Sequence, residues 1–366
     1  MIATLDGPER AAAAGGVGTA SAAYLRLVRR RALILAALVA ALGLSVVVDV
    51  AVGPSGLDLG DVVRTLLQVA GAEGGDPVAR TIVLEIRLPV ALTAVVVGAS
   101  LAVAGAQMQT VLDNPLASPF TLGISAAASF GAALAIVLGV GLLPVAGPWL
   151  VTANAFVAAM LAALLVHGLS RLRGVTVETV VLLGIALVFT FNALLALLQF
   201  VASEQALQEV VFWTLGSLGK ASWPKLGVAT AVLAACVPLL ARNAWALTAL
   251  RLGEAKARSL GIDVDRLRLR TLLLAALLAA VAVSFVGTVG FVGLVGPHIA
   301  RMLLGEDQRL FLLGSAVSGA LLLSATSVVS KTLLPGVVFP IGIITALVGV
   351  PFFLFLVLGQ RRAGVR

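Results

Sequence analysis

Long uncharged apolar runs alternate along this chain with short segments that hold nearly all its charge. Ten such runs can be drawn, at approximately 32–52, 90–111, 118–139, 146–166, 179–202, 226–241, 269–287, 291–304, 310–330 and 341–358. A helix needs roughly 20 apolar residues to cross the hydrocarbon of a bilayer. Most of these runs reach that length. The runs at 226–241 and 291–304 are shorter and are expected to be partial or strongly packed helices. The pattern predicts an all-α, polytopic membrane protein. Residues 1–31 are read as a cytoplasmic N-terminal tail and residues 32–362 as one transmembrane domain.

Composition removes the alternative of a soluble domain. Of 366 residues, 60% are hydrophobic and only 11% charged, where soluble domains carry nearer a quarter. Too few polar residues remain to cover a water-facing surface. A basic stretch before an apolar run resembles a signal peptide. The run at 32–52 is too long for such a segment, however, and no clear small-residue cleavage site follows. It reads as a retained anchor.

The net charge of +8 would suggest nucleic acid in a soluble protein. Here its distribution gives a different meaning. With ten crossings and a cytoplasmic N-terminus, nineteen Lys and Arg fall inside and six outside, accounting for all 25. That is the bias expected of cytoplasmic loops. It places both termini in the cytoplasm and excludes nucleic acid as a partner. Lone Cys236 lies within an apolar run and is read as a packing residue.

Two connecting segments stand out. The outer one, Gly53 to Pro89, carries Leu57, Leu59, Val62, Val63, Leu66 and Leu67 in a pattern expected for a surface-lying helix. The inner one, Arg242 to Arg270, holds seven basic residues around Leu250-Arg-Leu-Gly-Glu-Ala-Lys-Ala-Arg-Ser-Leu-Gly-Ile262. Gly253 and Gly261 are placed to bound a short helix there. On composition alone this is either a docking surface for a cytosolic partner or an ordinary positive-inside loop.

Candidate chemistry is sparse. Buried charge is the default mark of function inside a membrane. Between Leu88 and Arg361 every ionisable residue except the two histidines can be placed at a loop or helix end. This argues against a proton-coupled carrier. His167 and His298 lack Cys, Asp or Glu at ligand spacing, so no metal site is expected. The chain has no GxxxxGK[ST] phosphate loop. It is therefore expected to bind no ATP by that device, to carry no catalytic residues and to be a transporter subunit.

Asn192 and Gln199 are seven residues apart and share a helix face. Thr121, Ser125 and Ser129 repeat every four residues. Both sets are read either as interhelical hydrogen-bonding groups or as the lining of a pathway. Small residues crowd Val97 to Ala106 and Gly314 to Ala320, which predicts tightly packed helices. Asp113-Asn-Pro-Leu-Ala-Ser-Pro119 and Gly287-Thr-Val-Gly-Phe-Val-Gly-Leu-Val-Gly-Pro297 break the helical pattern. They open two oppositely running four-span blocks, an arrangement that fits an inverted repeat.

Several ordered motifs carry a resemblance over nearly all of residues 32–362. They are Arg87-Leu-Pro89, Gly105-Ala-Gln-Met-Gln109, Asn114-Pro-Leu-Ala117 with Leu122-Gly-Ile124, Leu252-Gly-Glu-Ala-Lys-Ala-Arg-Ser-Leu-Gly261, Gly290-Phe-Val-Gly-Leu-Val-Gly-Pro-His298 and Pro340-Ile-Gly342. In these the chain resembles the permeases of the iron-siderophore, haem and cobalamin class of ABC importers. The resemblance implies a ten-helix subunit that pairs with a second permease copy or paralogue. Two ATPase subunits, which carry ATP and Mg, would sit beneath, and an extracytoplasmic binding protein above.

It further implies ATPase coupling through Leu252, Gly253, Glu254, Ala255, Ala257, Leu260 and Gly261, and a cytoplasmic gate at Asn114 and Leu116 with Thr176 beside them. Binding-protein docking would fall to Arg87 and Lys331, and the pathway candidates remain Asn192 and Gln199. The sequence departs from some relatives at Val90, where a second Arg often follows, and at Lys331, often Arg. The class favours a ferric siderophore as cargo, with haem or cobalamin as alternatives and a secondary transporter as the competing class.

Overall fold

The computed structural model describes residues 7–54, 57, 59–69, 76–144, 147–170 and 177–363. They form α1 (Gly7–Ala51), α2 (Leu59–Val69), α3 (Pro77–Thr81), α4 (Leu88–Val111), α5 (Ile124–Leu138), α6 (Leu150–Ser170), α7 (Val177–Val201), α8 (Glu204–Thr214), α9 (Trp223–Arg242), α10 (Ala244–Leu250), α11 (Glu254–Ser259), α12 (Val264–Val286), α13 (Val292–Leu304), α14 (Gln308–Thr332) and α15 (Ile341–Ala363). No strand is present among the described residues.

Seven of the helices are long and apolar enough to cross a membrane, and three shorter apolar ones, Ile124–Leu138, Val292–Leu304 and Ile341–Phe352, complete the set. Each of the ten expected runs therefore coincides with a helix. The run at 226–241 belongs to a full 20-residue helix, α9. Helix α1 continues back through residues expected to form a tail.

Local chemistry sets the ends. Asp263 and Asp307 cap α12 and α14 by accepting from the Arg266 and Arg309 amides at 3.0 Å. A proline stands in the first turn of α9, where no amide is needed, whereas Pro89 lies where a π-helical stretch, Ile82–Arg87, runs straight into α4. Helix α2 is the expected surface helix. Its Val62 packs with Val50, Val83 and Ala91.

Helix α4 is the centre, with α1, α9, α12, α13 and α14 against it. The approach is close enough to need glycine. A β-carbon on Gly105 would overlap the Gly293 carbonyl, and one on Gly98 would overlap the Gly319 carbonyl. Gly296 faces the Ala102 β-carbon across a gap that would leave 2.9 Å. The two small-residue stretches singled out in the sequence thus touch each other. Lipid supplies no hydrophobic drive for helix association, so contact rests on dispersion over backbones that approach closely.

Helices α5 and α13 have 15 and 13 residues, or about 20 Å of length, against about 30 Å of hydrocarbon. Each follows an irregular segment, 112–123 and 287–291, which is covered by protein in part. Ala117, Ser118, Pro119 and Leu122 are buried in the first segment, and Gly287 and Val289 in the second. Backbone groups around the second are satisfied across elements. The Ser217 amide donates to the Val286 carbonyl at 2.7 Å, and the Ile341 and Gly342 amides donate to Gly216 and Leu215 at 3.0 Å. Irregular backbone persists within a bilayer only under such cover.

The third span accordingly begins at Ile124, not near 118. Thr121 sits off that helix, bonded within a turn to Ser118. Ser125 and Ser129 are buried, and the Ser129 hydroxyl donates to the Ser125 carbonyl of its own helix. Thr121 and Ser129 thus spend their hydroxyls on nearby backbone carbonyls. Helix α8 and its N-cap Ser203 went unread in the sequence, because eleven amphipathic residues between two spans resemble a polar loop.

Replacing Gly105 with Val is expected to cost at least about 1–3 kcal/mol through overpacking, lowering the thermal unfolding midpoint in detergent. Gly227→Ala is the control, because nothing lies within 4 Å of its β-carbon. An unchanged midpoint for Gly105→Val would show that α4 and α13 do not meet through that glycine.

Candidate functional site

The bundle has two chemically different ends. One, the basic end, gathers Arg31, the 242–270 segment, the 305–307 turn and the C-terminus of α4. Arg31 lies against Gly305, Arg251 pairs with Glu306 at 2.7 Å, and Val111 packs with Leu247, Leu250, Ala257, Val264 and Leu267. The N-terminal basic cluster and the 242–270 cluster therefore share a side, as the charge count required.

The short helix expected between Gly253 and Gly261 is α11, and a second short helix, α10, precedes it across Arg251, Leu252 and Gly253. Gly253 has φ +109° and Gly261 φ +79°, conformations that only glycine adopts easily, and α11 fits between them. Leu252 and Leu260 are 63% and 55% exposed, while Gly253, Ala255 and Gly261 also face out. Ala257 departs from expectation. It is fully buried and fastens α11 to the bundle. Exposed leucines among Lys256 and Arg258 make a small apolar patch with a basic rim, the anatomy of a contact surface.

Glu254 opens α11. Its carboxylate receives Arg258 at 2.7 Å and Arg268 at 3.0 Å. The hydrogen bond from Arg258 is the largest effect and, with the charges of Arg268 and Arg258, holds it below the ordinary carboxylate range against the opposing effect of burial.

The gate candidates lie on the 112–123 segment. The Asn114 amide donates to the Gln109 carbonyl at 3.1 Å, closing the end of α4. Its side-chain oxygen accepts from the Leu116 amide at 2.9 Å. This turn holds Asp113 at φ +41° and projects Leu116 and Phe120, 49% and 51% exposed, beyond the bundle. Thr176 lies outside the described residues.

Just above the turn is a polar cluster. Arg301 donates to the Gln109 side chain at 3.0 Å, lies over the Phe311 ring at 5.2 Å and meets Glu306 at 3.3 Å. The Gln308 amide group donates to Thr110 at 3.2 Å. Sequence spacing gave no sign of this cluster, whose members come from α4, α13, α14 and the turn between the last two.

At the far end the expectation of outward positive charge fails. The Arg87 side chain turns in and donates to the Val50 and Ala51 carbonyls at 3.1 and 2.7 Å. Lys331, its side chain 8% exposed, meets fully buried Asp49 at 2.8 Å and also donates to the Asp49 carbonyl. Ser327 adds a second donor to that carboxylate at 2.9 Å. The last carbonyls of a helix lack intrahelical partners and carry partial negative charge. The two cations cap α1 there, so neither presents its charge outward.

Asn192 is exposed and Gln199 half-buried on α7, which leaves two amides on a face the chain itself does not cover. Among the described residues no group of His, Cys, Asp or Glu could hold a metal ion.

The description of the FecCD transport family matches residues 32–359. The chain belongs to that family. Its relatives include the haemin transport system permease of Yersinia pestis, 39% identical over 76% of this chain and 83% of the relative. A Helicobacter pylori permease named for iron chelatin transport is 39% identical over 76% and 83%. The fold resembles a solved metal-chelate type ABC transporter in an inward-facing conformation. That comparison has a TM-score of 0.76 and 30% identity, and covers 89% of this chain and 99% of that one. The matched residues run from within α1 to within α15 and so take in both of the ends just described.

Lys331→Met should strand the Asp49 carboxylate in the interior and cost about 3–5 kcal/mol, read as a lower unfolding midpoint. Adding Asp49→Asn should recover most of the loss; no recovery would show that the pair does not act as a unit. For Glu254 the sign follows from its lowered native value. Its contribution is present above the unfolded carboxylate pKa and is lost as pH falls through the lower native one. Hydrogen exchange at 254–260 should thus show unchanged protection from about pH 7 down to about pH 4.5, with opening only in stronger acid. Opening near neutrality would contradict the guanidinium clasp.

Proposed function

We propose that the chain is the membrane-spanning permease of an ATP-binding-cassette importer, carrying a metal chelate, with a ferric siderophore as cargo, across the cytoplasmic membrane. The family match across 32–359 carries the reading. The positive-inside rule supports a cytoplasmic basic end, with both termini there.

In this reading the exposed faces of α10 and α11, around Leu252, Glu254, Ala255 and Leu260, receive a pair of ATPase subunits that bind ATP and Mg. Asn114 and Leu116 form the gate. The uncovered face of α7, with Asn192 and Gln199, borders the pathway shared with a second permease copy or paralogue. An extracytoplasmic binding protein delivers cargo to the far end. The ATPase would shift the permease between inward-open and outward-open states, and a ligand or motor moves such an equilibrium only through differential contact with the two states. The permease supplies walls and hinges while the chemistry happens elsewhere.

The relative named for haemin transport, as similar as the one named for iron chelatin, favours haem as the second reading of the cargo. Proteoliposomes holding the chain, its cognate ATPase and its binding protein are expected to accumulate a labelled ferric siderophore only with ATP. Accumulation of haem or cobalamin in its place reassigns the cargo, and uptake without the ATPase replaces the proposal with secondary transport. Glu254→Arg, which sets a third cation beside Arg258 and Arg268, should lower ATP-driven uptake about tenfold, a coupling loss near 1.4 kcal/mol. Uptake at the unsubstituted rate would remove α11 from the coupling surface.

A further inference from the structure

We infer that Glu306 is a positioning residue that links the ATPase-facing segment to the gate, through the relay Arg251–Glu306–Arg301–Gln109–Asn114. The inference rests on the reading of α10 and α11 as the ATPase contact and of Asn114 as gate. Each step is a direct contact. Arg251, next to exposed Leu252, meets the Glu306 carboxylate at 2.7 Å, and the same oxygen meets the Arg301 Nε at 3.3 Å. Arg301 then donates to the Gln109 side chain at 3.0 Å. The Gln109 backbone carbonyl accepts the Asn114 amide at 3.1 Å.

One carboxylate oxygen therefore joins two guanidinium groups that would otherwise repel each other. Glu306 is half-exposed, Arg251 and Arg301 are mostly covered, and Gln109 is buried. The relay thus runs from the surface into the helix centre. Exposed ion pairs contribute little to stability, so the role is one of placement: Glu306 sets where α10 stands relative to α13. Arg301 is pinned on its other side by Phe311 and Gln109, so a shift of Arg251 is passed on to the end of α4 and not absorbed by a swinging side chain. A parallel strut, the Gln308 amide on the Thr248 hydroxyl at 3.4 Å with the Gln308 side chain on Thr110, keeps α10 attached when the carboxylate is lost. Removal of Glu306 should leave assembly in place.

The test measures chelate imported per ATP hydrolysed in proteoliposomes containing permease, cognate ATPase and binding protein. Glu306→Gln is expected to leave co-purification of the ATPase and the basal hydrolysis rate unchanged while import per ATP falls about fivefold or more. Glu306→Asp should restore most of the ratio. An unchanged ratio for Glu306→Gln overturns the relay, and so does a loss of ATPase co-purification or an equal loss of hydrolysis and import, which would mark a structural role. If the unsubstituted complex shows no ATP-dependent import, the proposed function fails first. If it imports and the Gln variant keeps its ratio, only the relay fails.

Discussion

The whole bundle depends on how closely α13 and α14 approach α4. Water drives apolar surfaces together in a soluble protein, but in lipid the alternative neighbour is equally apolar. The remaining attraction is dispersion, which weakens quickly with distance, so the helices must come near enough for backbone to touch backbone. Gly98, Gly105, Gly293, Gly296 and Gly319 permit this. The same contact fixes the depth at which α13 begins and makes room for irregular segments at 112–123 and 287–291. The turn at 112–123 is anchored on that packed centre through buried Ala117, Ser118, Pro119 and Leu122.

The two ends treat charge in opposite ways. At the far end Arg87 and Lys331 neutralise the C-terminus of α1 and the buried Asp49, locking α1 against α14 and the start of α4. At the basic end the charges are shared in chains among elements, with Glu306 between two arginines and Glu254 between two others. A pair closed on itself resists motion. In the relay proposed above, a chain of shared partners passes motion on.

Family membership and this asymmetry complement each other. The FecCD match establishes what kind of protein the chain is, while the geometry says which of its residues stand ready for contact. Leu252 and Leu260 are bare, Ala257 is an anchor, and Leu116 with Phe120 projects from a strained turn.

By itself the sequence determined the class, the ten helical runs and the sidedness of the charges, because in a membrane length, apolarity and Lys/Arg placement obey one-dimensional rules. The small-residue stretches and the glycines at 253 and 261 were likewise legible, since backbone demands at single positions leave a mark in residue type. Only tertiary structure decided that Arg87 and Lys331 turn inward, that Ala257 is an anchor, and that Gln109, Arg301 and Glu306 meet. Those outcomes depend on which helix ends lie within about 3 Å of one another. No local pattern encodes the distance between residues separated by nearly two hundred positions until the helices have packed.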